Sequence, residues 1–279
     1  MNMTECASLV SCEWLFSEIQ RKDIAILDAS FFLARQQRNA AVEFKQGHIP
    51  GSQFFDIDLI ADHSGPYPHT LSSAQQFARQ MGEMGIDNNT RVIVYDNNAF
   101  FASARAWWMF RVFGHQNVGV LDGGLKRWKT LNFPLSSDLV KPHPAVFLAK
   151  FNRDLYCDLK QMQDIVQHGK CQILDARSPA SFTGKRTDQP DLQGSGHIPG
   201  SFNIYYGDLR NTEDDTLLNA REIRRLFEVR GIDFSRPLVT TCGSGVSAAV
   251  LAIALFQLGR TDIPVYDGSW TEWSAALIE

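Results

Sequence analysis

The sequence lacks the features that mark several large classes of protein. It has only five cysteines, an odd number, and no CxxC pair, so neither a disulfide framework nor a zinc site is expected. A net charge of −4 gives no electrostatic basis for binding nucleic acid or an anionic membrane. No apolar run approaches a membrane span, and the first ten residues have no basic start of a secretory signal. These absences predict a cytoplasmic protein with reduced thiols.

Glycine-rich phosphate loops and nucleotide-binding fingerprints are also missing, so we expect no cofactor and no metal. Apolar residues, in contrast, are plentiful, at 44% of the 279 residues. This length exceeds that of one average domain and is comfortable for two, each with its own core.

The sequence contains one unit twice. The clearest sign is GHIPGS, which occurs at residues 47–52 and again, letter for letter, at 196–201. Three further stretches return in the same order: AILDAS at 25–30 as QILDAR at 172–177, RVIVYD at 91–96 as RPLVTTC at 236–242, and VLDGG at 120–124 as VYDGS at 265–269. We therefore predict two homologous domains, residues 1–135 and 154–279, joined by a proline-containing linker at 136–153.

Short apolar runs alternate with helical patterns in both domains. Strands are predicted at 24–27, 91–95 and 118–121 and again at 172–174, 238–241 and 263–266; helices are predicted at 74–84, 102–113, 220–229 and 247–258. Apolar strands of four or five residues between helices are typical of a parallel sheet covered on both faces. The predicted class is α/β, with a parallel sheet flanked by helices in each domain.

Cys242 stands apart from the other cysteines because of its surroundings. It follows the apolar run 238–241 and precedes a short loop and then a helical pattern, which indicates strand, tight loop, helix. Amide N–H groups and the helix dipole at such a position favour the thiolate over the thiol. Cys242 is therefore the predicted nucleophile.

The loop after Cys242 is predicted to bind the substrate. Amides from Gly243 through Gly245, Val246 and Ser247 can point at one centre if the loop curls round the sulfur, and its glycines permit that curl. Ser247 is expected to serve mainly as the helix N-cap. The hydroxyl of Ser244, two residues from the nucleophile, can donate a proton or a hydrogen bond.

Taken together, the duplicated DAS/DAR, GHIPGS and DGG/DGS stretches, with a loop cysteine in the second copy only, resemble a tandem rhodanese-domain sulfurtransferase over essentially the whole chain. The loop CGSGVS is similar to that of the 3-mercaptopyruvate sulfurtransferases. The resemblance implies that Cys242 takes sulfane sulfur from 3-mercaptopyruvate as a persulfide and passes it to cyanide or to a thiol such as thioredoxin or glutathione. The first domain would be catalytically silent, because Asp96 stands in the place of the cysteine.

By the same resemblance, Ser244 pairs with His48, the histidine of the first GHIPGS stretch. Such a pair would help to protonate a leaving enolate. A second interpretation stays open: Ser244 is a small turn residue, and His48, like His197 in the second copy, only fixes the turn before proline.

The resembled enzymes hold the substrate carboxylate with arginines, but this sequence has Ser181-Phe182 and Gln189-Pro190-Asp191 at the corresponding places. Lys185 and Arg186, in the same loop, are predicted to bind the carboxylate instead. A cation-free cysteine loop suits monoanionic mercaptopyruvate better than dianionic thiosulfate. A thiosulfate sulfurtransferase, a sulfur relay and a non-catalytic rhodanese-like binding module remain alternatives.

Overall fold

The computed structural model describes residues 8–185 and 195–277, which form two compact units. Unit 1 comprises the residues up to 61 together with 72–152 and 211–216; unit 2 comprises 62–71, 153–210 and the residues from 217 onward. Segment 62–71 thus folds with unit 2, although the residues on both sides of it in the sequence belong to unit 1. Segment 211–216 folds with unit 1, although its flanking residues belong to unit 2. No pattern in the sequence predicts this exchange of segments.

Unit 1 contains a five-stranded sheet of parallel strands. Its strands are β1 (Leu9–Val10), β2 (Ile24–Asp28), β3 (Ser52–Phe54), β4 (Arg91–Tyr95) and β5 (Val118–Leu121), in the spatial order β1-β5-β4-β2-β3. Its helices are α1 (Cys12–Glu18), α2 (Ala40–Gln46), α3 (Ile57–Ile60), α4 (Ala74–Glu83), α5 (Ser103–Val112) and α6 (Gly124–Thr130).

Unit 2 repeats this plan. Its parallel strands are β6 (Tyr156–Cys157), β7 (Gln172–Asp175), β8 (Ser201–Asn203), β9 (Leu238–Thr241) and β10 (Val265–Tyr266), in the order β6-β10-β9-β7-β8. Its helices are α7 (Leu159–His168), α8 (Pro179–Phe182), α9 (Ala220–Val229), α10 (Ala248–Gln257) and α11 (Ser269–Ala276). The predicted class, two parallel sheets flanked by helices, is confirmed.

The strand–loop–helix frames β4–α5 and β9–α10 lie at the centre of the two cores. All of α5 and most of α10 are buried, as are all four residues of β9. Because these strands and helices are buried in the core of each unit, the loops between them are well fixed. Even α10 has only 10 residues, and no helix in the described residues is both long and apolar enough to cross a membrane.

The proline-containing stretch 136–152 packs along unit 1. The Ala145 N–H donates to the Gly82 carbonyl (2.8 Å) and the Lys150 N–H to the Phe113 carbonyl (2.9 Å), while Phe147 is buried. A Cβ atom on Gly82 would lie 2.5 Å from the Ala145 oxygen, so the close approach of this stretch to α4 requires glycine.

Candidate active site

Cys242 lies at the carboxyl end of β9, directly before the loop 243–247 and α10. The predicted strand, tight loop and helix are therefore confirmed. Gly245 has φ +79°, a left-handed conformation that favours glycine and tightens the loop. Ser247 occupies the N-cap position of α10, but its hydroxyl makes no capping hydrogen bond. Cys242 itself is only 2% exposed.

Ser269, at the start of α11, contacts both the main chain and the sulfur of Cys242. Its hydroxyl oxygen accepts the Cys242 N–H (3.1 Å), lies 4.0 Å from the Cys242 sulfur, and its O–H donates to the Tyr266 carbonyl (2.7 Å). Ser269 has φ +52°, where its counterpart in unit 1 is Gly124 at φ +53°. A serine in this left-handed conformation is strained, and its three contacts offset that strain. The only sign of this contact in the sequence is the change from DGG at 122–124 to DGS at 267–269.

The amides of the cysteine loop point away from α11. The Cys242 carbonyl accepts the Trp270 N–H (3.1 Å), and the Gly243 carbonyl accepts both the N–H (2.9 Å) and the O–H (2.7 Å) of Thr271. In a trans peptide the N–H points opposite to the preceding carbonyl, so the Gly243 and Ser244 amides face the other way. Within the described part of the chain neither amide has an acceptor, and both are available to an anion.

His69 lies beside the loop, in the segment 62–71 that folds with unit 2. Its Nδ1 is 2.9 Å from Ser244 Oγ. Two residues further on, the Leu71 N–H donates to the buried carboxylate of Asp267 (2.7 Å), which holds the segment at a second point. His69 has φ +62°, an uncommon conformation for a residue other than glycine, so the segment is constrained where it presents the imidazole.

The predicted pairing of Ser244 with His48 is wrong, since His69 takes that place. His48 belongs to unit 1 and is fully buried. Its Nδ1 lies 2.7 Å from the Phe44 carbonyl oxygen and its Nε2 3.1 Å from that of Asp138. The ring also stacks on Phe44, with 4.0 Å between ring centroids. Both ring nitrogens are therefore committed to the main chain.

The second histidine of the repeated motif makes a matching arrangement. His197 Nδ1 is 2.9 Å from the Phe182 carbonyl oxygen, and its ring stacks on Phe182 at 3.8 Å. The two GHIPGS histidines thus share one structural role, that of fixing the turn through a phenylalanine, as the second interpretation had it.

The corresponding loop of unit 1, residues 97–102, is one residue longer and follows a carboxylate in place of the thiol. Asp96 follows β4, and its Oδ1 accepts the N–H groups of Asn98 (3.0 Å) and Phe100 (3.1 Å). Its Oδ2 accepts those of Ala102 (3.1 Å) and Ser103 (2.8 Å). The loop of unit 1 thus binds a carboxylate of its own chain through four main-chain N–H groups.

Residues 11–131 and 158–276 each match the family of the rhodanese-like domain. The chain belongs to the rhodanese family. It is 39% identical to human 3-mercaptopyruvate sulfurtransferase over 274 residues, which cover 96% of this chain and 92% of that protein. It is also 39% identical to rat thiosulfate sulfurtransferase, over 95% of this chain and 91% of that protein.

Solved structures agree with this assignment. The crystal structure of the 3-mercaptopyruvate sulfotransferase SseA from Escherichia coli superposes with a TM-score of 0.87 at 35% identity, over 95% of this chain and 99% of that one. The Tum1 protein of Saccharomyces cerevisiae gives a TM-score of 0.88 at 30% identity, over 96% and 95% of the two chains. This rhodanese is a sulfurtransferase.

The basic residues predicted to bind the substrate carboxylate lie after α8 of the second rhodanese unit. Lys185 is exposed, and its N–H donates to the Ala180 carbonyl (2.9 Å). Arg186 lies outside the described residues. Ser181, at a place where the resembled enzymes carry arginine, is buried and bonded to Ser178 (2.9 Å between hydroxyl oxygens). The role of Lys185 and Arg186 stays a prediction.

The other described cysteines of this rhodanese are poor nucleophiles. Burial raises the pKa of Cys12 to about 12 and that of Cys157 to about 12. Burial also raises the pKa of Cys171, against the influence of the nearby Arg236 and Lys170 charges. All three stay protonated at neutral pH, and a protonated thiol does not attack sulfur.

Asp28, in the first rhodanese unit, provides a prediction about pH and stability. Burial raises the pKa of its carboxyl from 3.8 to about 6, although hydrogen bonds from Ser30 and Tyr95 lower that pKa. A carboxyl whose pKa is higher in the folded state contributes stability that is fully present when the pH is below its pKa in the unfolded state. This contribution is lost as the pH rises through its pKa in the folded state. Asp28→Asn should therefore raise the free energy of unfolding at pH 8 by about 1–3 kcal/mol.

Urea denaturation of both proteins at pH 8 and pH 5 checks this. The gain should shrink at pH 5, because the wild-type carboxyl is then largely protonated. A gain of the same size at both pH values would show that ionisation of Asp28 is not its cause.

Proposed function

We propose that this sulfurtransferase moves sulfur from 3-mercaptopyruvate through a Cys242 persulfide to a thiol or cyanide acceptor. The observation that carries the proposal is the Ser244–His69 pair, 2.9 Å apart, next to the cysteine. Relatives named for 3-mercaptopyruvate and for thiosulfate are equally similar to the chain, so the site must distinguish the donors.

The two donors differ in whether they need a proton. The Cys242 thiolate attacks the thiol sulfur of mercaptopyruvate, an S–S bond forms, and the C–S electron pair leaves on carbon. That carbon must gain one proton to become pyruvate, while the transferred sulfur keeps its own. With thiosulfate the S–S electron pair leaves as sulfite, and no proton is consumed. A proton donor beside the cysteine therefore serves mercaptopyruvate chemistry.

Ser244 and His69 supply that donor. The hydroxyl of Ser244, two residues from the nucleophile, passes its proton to the enolate of pyruvate, and His69 replaces it through the 2.9 Å contact. The outward-facing amides of Gly243 and Ser244 stabilise the Cys242 thiolate before the attack, and afterwards the persulfide anion that forms when the transferred sulfur releases its proton to solvent. We also propose that unit 1 is catalytically silent, because the Asp96 carboxylate cannot form a persulfide.

The charge of the loop supports the same donor. Residues 243–247 contain no lysine or arginine, so a dianion next to Cys242 meets only amides and hydroxyls. Lys185 and Arg186 remain the proposed partners of the substrate carboxylate. Thioredoxin or glutathione in a reducing cytoplasm is the proposed acceptor system, which fits the free state of the four described cysteines.

Intact mass spectrometry tests the proposal. The reduced protein is incubated with 3-mercaptopyruvate or with thiosulfate, and we expect a gain of roughly 32 Da, one sulfur, that cyanide or dithiothreitol reverses. Faster transfer of sulfur to the protein from 3-mercaptopyruvate supports the proposed donor. Faster transfer from thiosulfate would indicate a thiosulfate sulfurtransferase. No gain from either donor would indicate a binding module or an enzyme for a different donor.

His69→Ala should separate the two donors. With mercaptopyruvate, loss of the proton relay is expected to lower kcat by about 10²–10⁴-fold. With thiosulfate, which consumes no proton, kcat should change little. Steady-state assays with cyanide as the common acceptor measure both values. His69→Asn is the matched control, because asparagine tolerates the left-handed backbone but cannot relay a proton. Equal losses with both donors would contradict the relay.

Asp267 should act as a positioning residue for His69. Asp267→Ala removes the acceptor of the Leu71 N–H, so the segment 62–71 loses an anchor, and the mercaptopyruvate kcat should fall by about tenfold. Asp267→Asn keeps a side-chain oxygen for that N–H and should recover most of the rate. If both variants lose the same activity with both donors, the carboxylate acts on the fold rather than on His69.

A further inference from the structure

Unit 1 has an open cavity of about 400 Å³ at the carboxyl ends of its strands. Its lining includes Asp28 and Ser30 after β2, Leu125 on α6 and Gly47 of the first GHIPGS stretch. The sulfur-transfer chemistry does not use these residues. The corresponding place in unit 2 shows what such a space holds.

In unit 2 an arginine side chain fills the position. The guanidinium of Arg177 donates to both carboxylate oxygens of Asp175, through Nε (3.1 Å to each) and Nη2 (2.7 Å). Nη2 also donates to the Gly196 carbonyl (3.0 Å), and the group lies over the Trp270 ring at 4.8 Å. Arg177 thus forms a buried ion pair at the carboxyl end of β7.

Unit 1 keeps the acceptors of this arrangement but not the cation. The Ser30 N–H donates to Asp28 Oδ1 at 2.9 Å, as the arginine N–H of unit 2 does to its own aspartate at 2.9 Å. Ser30 thus stands in the place of the arginine, and Leu125 in that of the tryptophan. Gly47 retains the glycine of the repeated motif. The two smaller side chains leave the space open.

The Asp28 carboxylate has no cationic partner among the described residues. It is 2% exposed, and burial is the main reason that its pKa stands near 6. Arg38, also in the cavity wall, is occupied by a two-point ion pair with Glu43 (2.7 and 2.5 Å). Lys129 is exposed at the rim. The interior therefore offers a buried carboxylate that accepts hydrogen bonds from Ser30 and Tyr95 but has no cation from the described part of the chain beside it, and such a group favours a bound cation.

We propose that this cavity binds a small guanidinium compound. The ligand takes the position that the Arg177 guanidinium has in unit 2: two of its N–H groups donate to Asp28, a third to the Gly47 carbonyl, and its face packs on Leu125. A planar cation with several N–H donors fits the Asp28 carboxylate and the Gly47 carbonyl. An alkali cation has no donors, and an ammonium group cannot direct its N–H groups to both acceptors in one plane.

Nuclear magnetic resonance titration of the full-length protein with methylguanidinium tests the proposal, at constant ionic strength and beside tetramethylammonium as the matched cation. We expect saturable shifts of the Ser30, Gly47 and Leu125 amides with methylguanidinium, with a dissociation constant on the order of millimolar, and none with tetramethylammonium. Free arginine in a third arm shows whether the longer molecule fits.

Two variants make the test specific. Ser30→Arg supplies the guanidinium within the chain and should abolish the shifts; Asp28→Asn removes the charge with little change of shape and should weaken binding at least about tenfold. Sulfur transfer by Cys242 should be unchanged in both and reports that they are folded. Shifts that do not saturate, or that persist unchanged in Asp28→Asn, would overturn the proposal.

Discussion

Cys242→Ser is expected to abolish sulfur transfer from both donors, with kcat/KM lower by at least about 10⁴-fold. A serine hydroxyl is a weak nucleophile toward sulfur and forms no stable bond equivalent to a persulfide. The fold of the loop should survive, because the contacts of residue 242 with Ser269 Oγ and the Trp270 N–H use its main chain. Release of pyruvate or sulfite measures the loss, and an unchanged circular dichroism spectrum shows that the variant is folded.

The three other cysteines that the structure describes provide the control. Cys12→Ser, Cys157→Ser and Cys171→Ser should each retain transfer at near wild-type rates, because burial keeps these thiols protonated. Peptide mapping after donor treatment should place the added sulfur on residue 242 alone. A persistent gain of sulfur in Cys242→Ser, mapped to another cysteine, would show that the chain loads sulfur elsewhere.

Asp96→Ala should strongly destabilise unit 1, lowering the free energy of unfolding by about 3–5 kcal/mol. The carboxylate accepts four main-chain N–H groups of a buried loop, and alanine leaves all four without an acceptor. The buried helix α5 begins at the last of these amides, so the loss extends into the core. Urea denaturation gives the change.

Asp96→Asn is the matched control for that variant. Its one side-chain oxygen can accept two of the four N–H groups, so its stability should lie between those of the wild type and Asp96→Ala. An alanine variant that unfolds at the wild-type urea concentration would mean that water replaces the carboxylate without loss. The sulfurtransferase rate of either variant, assayed at a temperature where it is folded, should stay near that of the wild type.

The parts of the fold predicted well from the sequence are those set by local pattern. The runs 91–95 and 238–241 are apolar on both faces, and β4 and β9 occupy these residues. Cys242 could be identified because a strand, two glycines and an apolar helix adjoin it in the sequence. The shortest strands, β1 and β6, have two residues each, and so short a segment carries no periodicity.

The partner of Ser244 could not be predicted in the same way. His69 lies 175 positions away in a proline-containing stretch, and its neighbours in sequence give no sign that the stretch folds with unit 2. The motif histidine His48 was the more visible choice, because GHIPGS is repeated. A residue that is repeated in both copies serves a function that the copies share. For His48 and His197 that function is to fix the turn of the GHIPGS stretch.

Because short segments are exchanged, neither half of the sequence encodes a complete unit. A fragment that starts at residue 153 contains Cys242 and Ser244, yet the segment 62–71, which completes its unit, is encoded in the other half. Likewise, unit 1 needs residues 211–216 from the later half. The first half of the sequence thereby supplies His69, which lies beside Ser244 of the second half and is the proposed proton relay. Each half of the sequence thus completes the fold of the other through one short segment, residues 62–71 in one direction and 211–216 in the other.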